Sequence, residues 1–277
     1  MARHGGHGRP HRFALIGDVG GHRALFESAL RELGADPATG RVPADLVVVQ
    51  VGDLVHRGPD SVGCVDVADR MLRHGDGRYV QLLGNHEAFY LGGPRFRTRD
   101  DLTTAADHTV QRWWLDRSAR LAIALDTVEH GELLVTHAGL TAPLWRRLGA
   151  PSSAADAATA LNRWVGTRAD LAFAPGVRLS GHIGFPGPVW ADPLSEVYPS
   201  WRREESVPFG QVHGHYAITN WSNADDPLGP DAEPGADVDI EARHTTVRIG
   251  AKPFMGIDPE HGSHGATSWS PLVLTST

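Results

Sequence analysis

Three apolar runs, each closed by glycine and polar residues and separated by helical patterns, constrain this chain more than any other feature. Arg12-Phe-Ala-Leu-Ile-Gly17 leads into Asp18, Asp45-Leu-Val-Val-Val-Gln50 into Val51-Gly52-Asp53, and Tyr79-Val-Gln-Leu-Leu83 into Gly84-Asn85-His86-Glu87. The second run is continuously apolar and β-branched, the pattern of a strand buried on both faces. Between the first two runs, His22 to Leu33 places Leu25, Phe26, Leu30 and Leu33 on one helical face and ends at Gly34. Between the second and third, Ser61 to about Arg73 predicts a helix capped by Asp60 or Ser61. The order β-α-β-α-β therefore predicts an α/β fold. Its polar clusters follow successive strands, and open α/β sheets place their sites at carboxyl ends of strands.

The remainder is less regular. Asp100 to Arg117 predicts a helix that packs on the sheet edge or caps it, and Leu121–Leu125 with Glu132–Thr136 predicts a hairpin around Glu129-His130-Gly131. Ala154 to Val165 predicts a helix rich in alanine, and loops follow through Gly181-His182, Trp190-Ala-Asp-Pro193 and Ser200–Arg203. After Phe209–His215, Ala217–Trp221 predicts a further strand, and Asn223 to Asp237 a solvated loop. Thr245–Ile249 and Leu272–Thr275 still need strand partners, so the expected organisation is a flexible His- and Gly-rich tail over 1–11 and one domain over 12–277.

The net charge of −7 and the lack of a basic run argue against a nucleic-acid polymer as partner. Cys64 is the single cysteine, so no intrachain disulfide framework exists. With no apolar run of membrane-spanning length and no secretory h-region, the expectation is a soluble cytoplasmic protein with no membrane partner.

The chemistry follows from residue types. Asp18, Asp53, Asn85, His137 and His215 offer oxygen and imidazole donors from five separate turns, a mixture that suits Mn²⁺, Fe or Zn²⁺. A carboxylate such as Asp53 can bridge two ions, and two ions about 3.5–4 Å apart can clamp a phosphate and activate water for in-line attack. Arg57 offers a fork for the non-bridging oxygens, and His86 is placed to protonate a leaving alkoxide.

Gly17-Asp18, Gly52-Asp53, Arg57-Gly58, Gly84-Asn85-His86-Glu87, His137-Ala-Gly-Leu140 and Gly214-His215 together resemble the motifs of the calcineurin-like metallophosphoesterase superfamily. The run Gly52-Asp-Leu-Val-His-Arg-Gly-Pro-Asp-Ser61 is most similar to its phosphoprotein phosphatase branch, which includes bacterial diadenosine tetraphosphatases. The resemblance implies a four-layer α/β/β/α sandwich with two mixed sheets and a dinuclear centre of two divalent ions, with Mn²⁺ the first expectation. Asp18 and Asp53 would hold one ion, and Asp53, Asn85, His137 and His215 the other. His86 would be the catalytic histidine, with Arg57 and Arg203 as the phosphate clamp. Ile257-Asp-Pro259 resembles, more weakly, a late strand-end motif of the bacterial members.

Two positions depart from the family pattern. Gly20 stands where the first motif carries a histidine, and His22 is the expected replacement ligand, with water or His261 as alternatives. His56 stands where an aspartate normally orients the catalytic histidine. The leading expectation is a metal-dependent phosphoesterase acting on a small phosphomonoester or nucleotide-type substrate. The alternatives are a Ser/Thr phosphoprotein phosphatase and a non-catalytic metal- or phosphate-binding descendant.

Overall fold

The computed structural model describes residues 11–98, 100–223, 233, 235–262, 264–266 and 268–277. Residues 1–10 of the expected tail and most of the expected 223–237 loop lie outside these. His11, the last tail residue, is already fixed: its N–H donates to the Asp45 carbonyl and its own carbonyl accepts from Ser276.

In chain order the elements are β1 (Arg12–Ile16), α1 (Arg23–Glu32), β2 (Leu46–Gln50), α2 (Ser61–His74), β3 (Tyr79–Gln81), α3 (Asn85–Ala88) and α4 (Thr104–Leu115). There follow β4 (Ala122–Thr127), β5 (Gly131–Thr136), α5 (Ala142–Arg147), α6 (Ala154–Asn162), β6 (Gly210–His213), β7 (Asp237–Asp239), β8 (His244–Ile249), β9 (Lys252–Gly256) and β10 (Leu272–Thr275). They form two mixed sheets, ordered β10-β1-β2-β3 and β4-β5-β6-β9-β8-β7.

Period-2 alternation divides each strand between two cores. From β1, Leu15 faces the layer between the sheets, where it joins Val49, Val80, Leu133, Val135, Val212 and Met255. Ala14 and Ile16 face outward and join Phe26 and Leu30 of α1 with Cys64 and Met71 of α2. Phe26 and Leu30 are fully buried, and burial of each such side chain contributes about 1.5–3 kcal/mol. Across the second sheet, Val247 and Phe254 pack on Tyr198 and Trp201, while α6 lies along β4 and β5. The layers are thus helix, sheet, sheet and helix.

The register explains where the polar residues emerge. Ile16 pairs with Gln50, and Gln50 with Gln81, so β1, β2 and β3 end in step and Asp18, Asp53 and Asn85 emerge along one edge. In the second sheet Val135 pairs with Val212 and Val212 with Met255, so His137, His215 and Asp258 leave the neighbouring edge together.

One expectation fails. Ala217–Trp221 forms bends rather than a strand, with Ile218 and Trp221 buried and the Trp221 indole N–H on the Asp258 carbonyl at 3.3 Å. The helix α4 packs on α2, where Arg112 and the Trp113 indole both donate to Asp69. Among the described residues no helix is long and apolar enough to cross a membrane.

Candidate active site

Backbone strain marks the place. Asp53, His56, Arg57 and His215 have φ of +54°, +69°, +70° and +71°, a left-handed region that costs L-residues roughly 1–2 kcal/mol each. Such strain persists only where the surroundings enforce it. Glu87 is one such enforcer. Fully buried, its carboxylate accepts the N–H groups of Asp53 at 2.8 Å, Leu54 at 2.9 Å and Gly84 at 2.9 Å. Burial and the Asp53 charge push its pKa up to about 7. Gly84 and Gly214 allow the close approach, because a Cβ on either would lie 2.2 Å from the Asp53 Oδ1 or 2.1 Å from the Asp18 Oδ1.

Among the described residues, Asp53, His137 and His215 form a buried group whose candidate ligand atoms all lie within 4.8 Å of one another. The hydrogen-bond pattern of this group suits a cation. His137 Nδ1 lies 3.0 Å from the Val51 carbonyl, which only an N–H can satisfy. In the neutral ring the Nε2 lone pair then faces two oxygens, Asn85 Oδ1 at 3.0 Å and Asp53 Oδ1 at 3.3 Å. Burial keeps the ring neutral by lowering its pKa. His215 Nε2 is buried with no hydrogen-bond partner among the described residues. Burial opposes a charge on Asp53, but the imidazoles of His86, His137 and His215 outweigh it, and its carboxyl titrates below the usual range. One carboxylate, one amide oxygen and two imidazole rings gathered here fit a divalent transition metal.

Asp18 flanks this group. Both of its oxygens lie 3.2 Å from the His215 N–H. Burial, then the charges of Asp258 and Asp53, push its pKa well above the carboxylate range. Burial also raises Asp258, to about 6. This side therefore offers carboxylates, with Arg57 as a nearby positive charge. The structure does not bring His22 to it. The His22 Nε2 lies 2.7 Å from the Gly262 carbonyl, and the ring sits 5.3 Å from that of His261. His261 Nδ1 accepts the Ala266 N–H, which places its ring hydrogen on Nε2 and leaves no lone pair there for a metal.

His86 and His56 do meet. Their Nδ1 atoms are 2.9 Å apart, and His56 Nε2 lies 2.7 Å from the Tyr90 hydroxyl, which also accepts the Leu102 N–H. His86 Nε2 faces Asp53 Oδ2 at 3.6 Å. Burial, then the charge of His86, lowers His56 to about 4, and burial also lowers His86.

Above these groups opens a cleft of about 390 Å³. Its walls include Arg57, Arg97 and Arg178 beside Phe96, Trp190 and Tyr216. The Arg178 guanidinium lies 4.5 Å from the Tyr216 ring centroid and pairs with the buried Asp192. Arg203, expected as the second clamp, is exposed and is not among the residues that line the cleft. Arg178, which sequence reasoning did not single out, lines the cleft. No local pattern marks it, whereas Glu87, three residues after Gly84, follows helix-start spacing.

A buried carboxylate–imidazole group thus lies beneath a cleft walled in part by arginines, at the edges of two mixed sheets. Residues 11–242 match the calcineurin-like phosphoesterase family, and the chain belongs to that family. A symmetrical bis(5'-nucleosyl)-tetraphosphatase of Chromohalobacter salexigens is 34% identical over 155 residues, covering 53% of this chain and 51% of that protein. One from an Acidovorax species is 36% identical over 139 residues, covering 47% and 44%. The chain thus spans about half the length of the curated relatives it matches. Among solved structures, a cold-active protein tyrosine phosphatase superposes with a TM-score of 0.55 at 13% identity, over 95% of this chain and 73% of that one. A protein serine/threonine phosphatase of Saccharomyces cerevisiae gives 0.52 at 14% identity, over 97% and 80%. These two share the fold.

Proposed function

We propose that this protein hydrolyses a phosphomonoester or nucleotide-type phosphate, using a divalent ion, Mn²⁺ first among them, held by Asp53, Asn85, His137 and His215. The observation that carries the reading is the His137 Nε2 lone pair set against two oxygens, beside His215 Nε2, which has no hydrogen-bond partner among the described residues. When bound, such an ion polarises a phosphoryl oxygen and makes water acidic enough to attack at neutral pH. A second ion would take Asp18 and share Asp53, with Asp258 beside them. That set is of carboxylates alone and is the harder, looser site.

The remaining roles fall to the chain's own side chains. Arg57 and Arg178 hold non-bridging phosphate oxygens through paired N–H donors. His86 Nε2 faces the leaving oxygen. Phe96, Trp190 and Tyr216 exclude water and present rings to a planar substituent, which favours a nucleotide-type substrate over a phosphopeptide. The tetraphosphatase names of the two relatives agree with that preference. Such a substrate and the unpaired, buried Cys64 suit a cytoplasmic setting.

The test is turnover by Mn²⁺-loaded protein of dinucleoside polyphosphates, mononucleotides, an aryl phosphate and phosphopeptides. Nucleotide-type substrates are expected to lead. Preference for phosphopeptides would make it a protein phosphatase, and no turnover with the ion bound would make it a non-catalytic descendant. Asp53→Asn is expected to remove most activity and weaken metal binding while the fold survives, and near-normal turnover at limiting Mn²⁺ would sink the assignment.

A further inference from the structure

We infer that Tyr90 and His56 are positioning residues that hold His86 with a hydrogen on Nε2, so that the ring meets substrate as a hydrogen-bond donor. This rests on the hydrolytic reading for its consequence, but the tautomer itself follows from geometry alone. The two Nδ1 atoms 2.9 Å apart share one hydrogen, so one ring donates and the other accepts.

Two neighbours decide which. Tyr90 oxygen accepts the Leu102 N–H at 3.0 Å, and its hydroxyl hydrogen can then point to His56 Nε2 at 2.7 Å. His56 must in that case carry its hydrogen on Nδ1 and donate it to His86 Nδ1. The hydrogen of His86 is left on Nε2. The opposite order would put two N–H groups on one phenol oxygen and turn its hydroxyl hydrogen away from both. Asp53 gives an independent reason. Its Oδ2 lies 3.6 Å from His86 Nε2, so a hydrogen there is attracted and a lone pair repelled. The buried His56, held neutral by desolvation, supplies a directional N–H where a carboxylate would supply charge. The position of His86 is held separately, since its backbone N–H donates to Asp53 Oδ1 at 2.9 Å.

The experiment reads the ring nitrogens directly. Protein labelled with ¹⁵N-histidine and loaded with diamagnetic Zn²⁺ gives long-range ¹H–¹⁵N spectra, and His86 is assigned by its loss in His86→Asn. The expected result is a bare Nδ1 and a protonated Nε2 on His86, with a protonated Nδ1 on His56. In Tyr90→Phe the His86 pattern is expected to shift toward a mixture. The kcat for an alkyl phosphate should then fall about fivefold relative to an aryl phosphate, with KM little changed. A hydrogen on His86 Nδ1 in the parent protein would overturn the inference, as would Tyr90→Phe spectra and alkyl-to-aryl ratios identical to the parent's. Absence of turnover would refute the hydrolytic reading and leave the spectrum to decide the tautomer.

Discussion

Replacing His56 with aspartate puts a charge where the parent has a neutral ring. In the parent, burial lowers both histidines, His56 to about 4. Both shifts favour the neutral rings at pH 7. A carboxylate about 4 Å from the imidazole, at an effective dielectric of about 20, would attract its cation by about 4 kcal/mol, or about three pK units. Desolvation of the new carboxylate opposes this, leaving a rise of roughly one to two units. A raised pKa means that His86 holds its proton to higher pH, and the gain disappears as pH climbs through the new value. The assay is kcat/KM between pH 5 and 9 for an alkyl and an aryl phosphate. For the alkyl substrate, whose poor leaving group depends on proton donation, the alkaline limb is expected to move up by one to two units and the rate at pH 7 to rise. The aryl substrate should change little. Superimposable alkyl profiles for parent and His56→Asp would refute the His56–His86 pairing as a control on the acid step.

Three further outcomes follow from the same geometry. Arg178→Met should weaken substrate binding by about 1.5–3 kcal/mol, roughly 10- to 100-fold in KM, whereas Arg203→Met stays near the parent; equal losses in both would restore Arg203 to the clamp. His22→Ala should leave metal stoichiometry intact and lower stability by about 1–2 kcal/mol in urea titrations, since it strips a hydrogen bond from the Gly262 carbonyl; loss of one ion instead would make His22 a ligand. His213, buried and lowered to about 4 by desolvation, binds its proton more weakly folded than unfolded, so stability is full above the unfolded value near 6.5 and is lost as pH falls toward 4. Unfolding free energies from urea titrations at pH 7.5 and 5 should differ by about 2 kcal/mol more in the parent than in His213→Gln, and an equal difference would exclude that ring as the cause.

The first sheet and its site edge were legible because hydrophobic period and strand register act over a few residues. The runs ending at Ile16, Gln50 and Gln81 are apolar in a way only buried strands need, and equal ends carry Asp18, Asp53 and Asn85 to one edge. His137 and His215 were legible for the same reason in the second sheet. The strand β9 escaped notice because Pro253 and Gly256 break its pattern, although it pairs on both sides. Ala217–Trp221 misled because burial of Ile218 and Trp221 through bends leaves the same apolar spacing as a strand. Arg178 was illegible: it sits on a single helical turn, Val177–Ser180, and its partners Tyr216 and Asp192 are distant or non-periodic in sequence. Tyr90 stands four residues after His86, one helical turn on, and that spacing carried its signal.

Crystals grown with Mn²⁺ and measured at the manganese absorption edge test the central assignment most directly. The anomalous difference map is expected to show its strongest peak among Asp53, Asn85 Oδ1, His137 Nε2 and the His215 ring, with any second, weaker peak on the Asp18 side of Asp53. A fully occupied peak elsewhere, with those four side chains arranged as they stand without an ion, would contradict it.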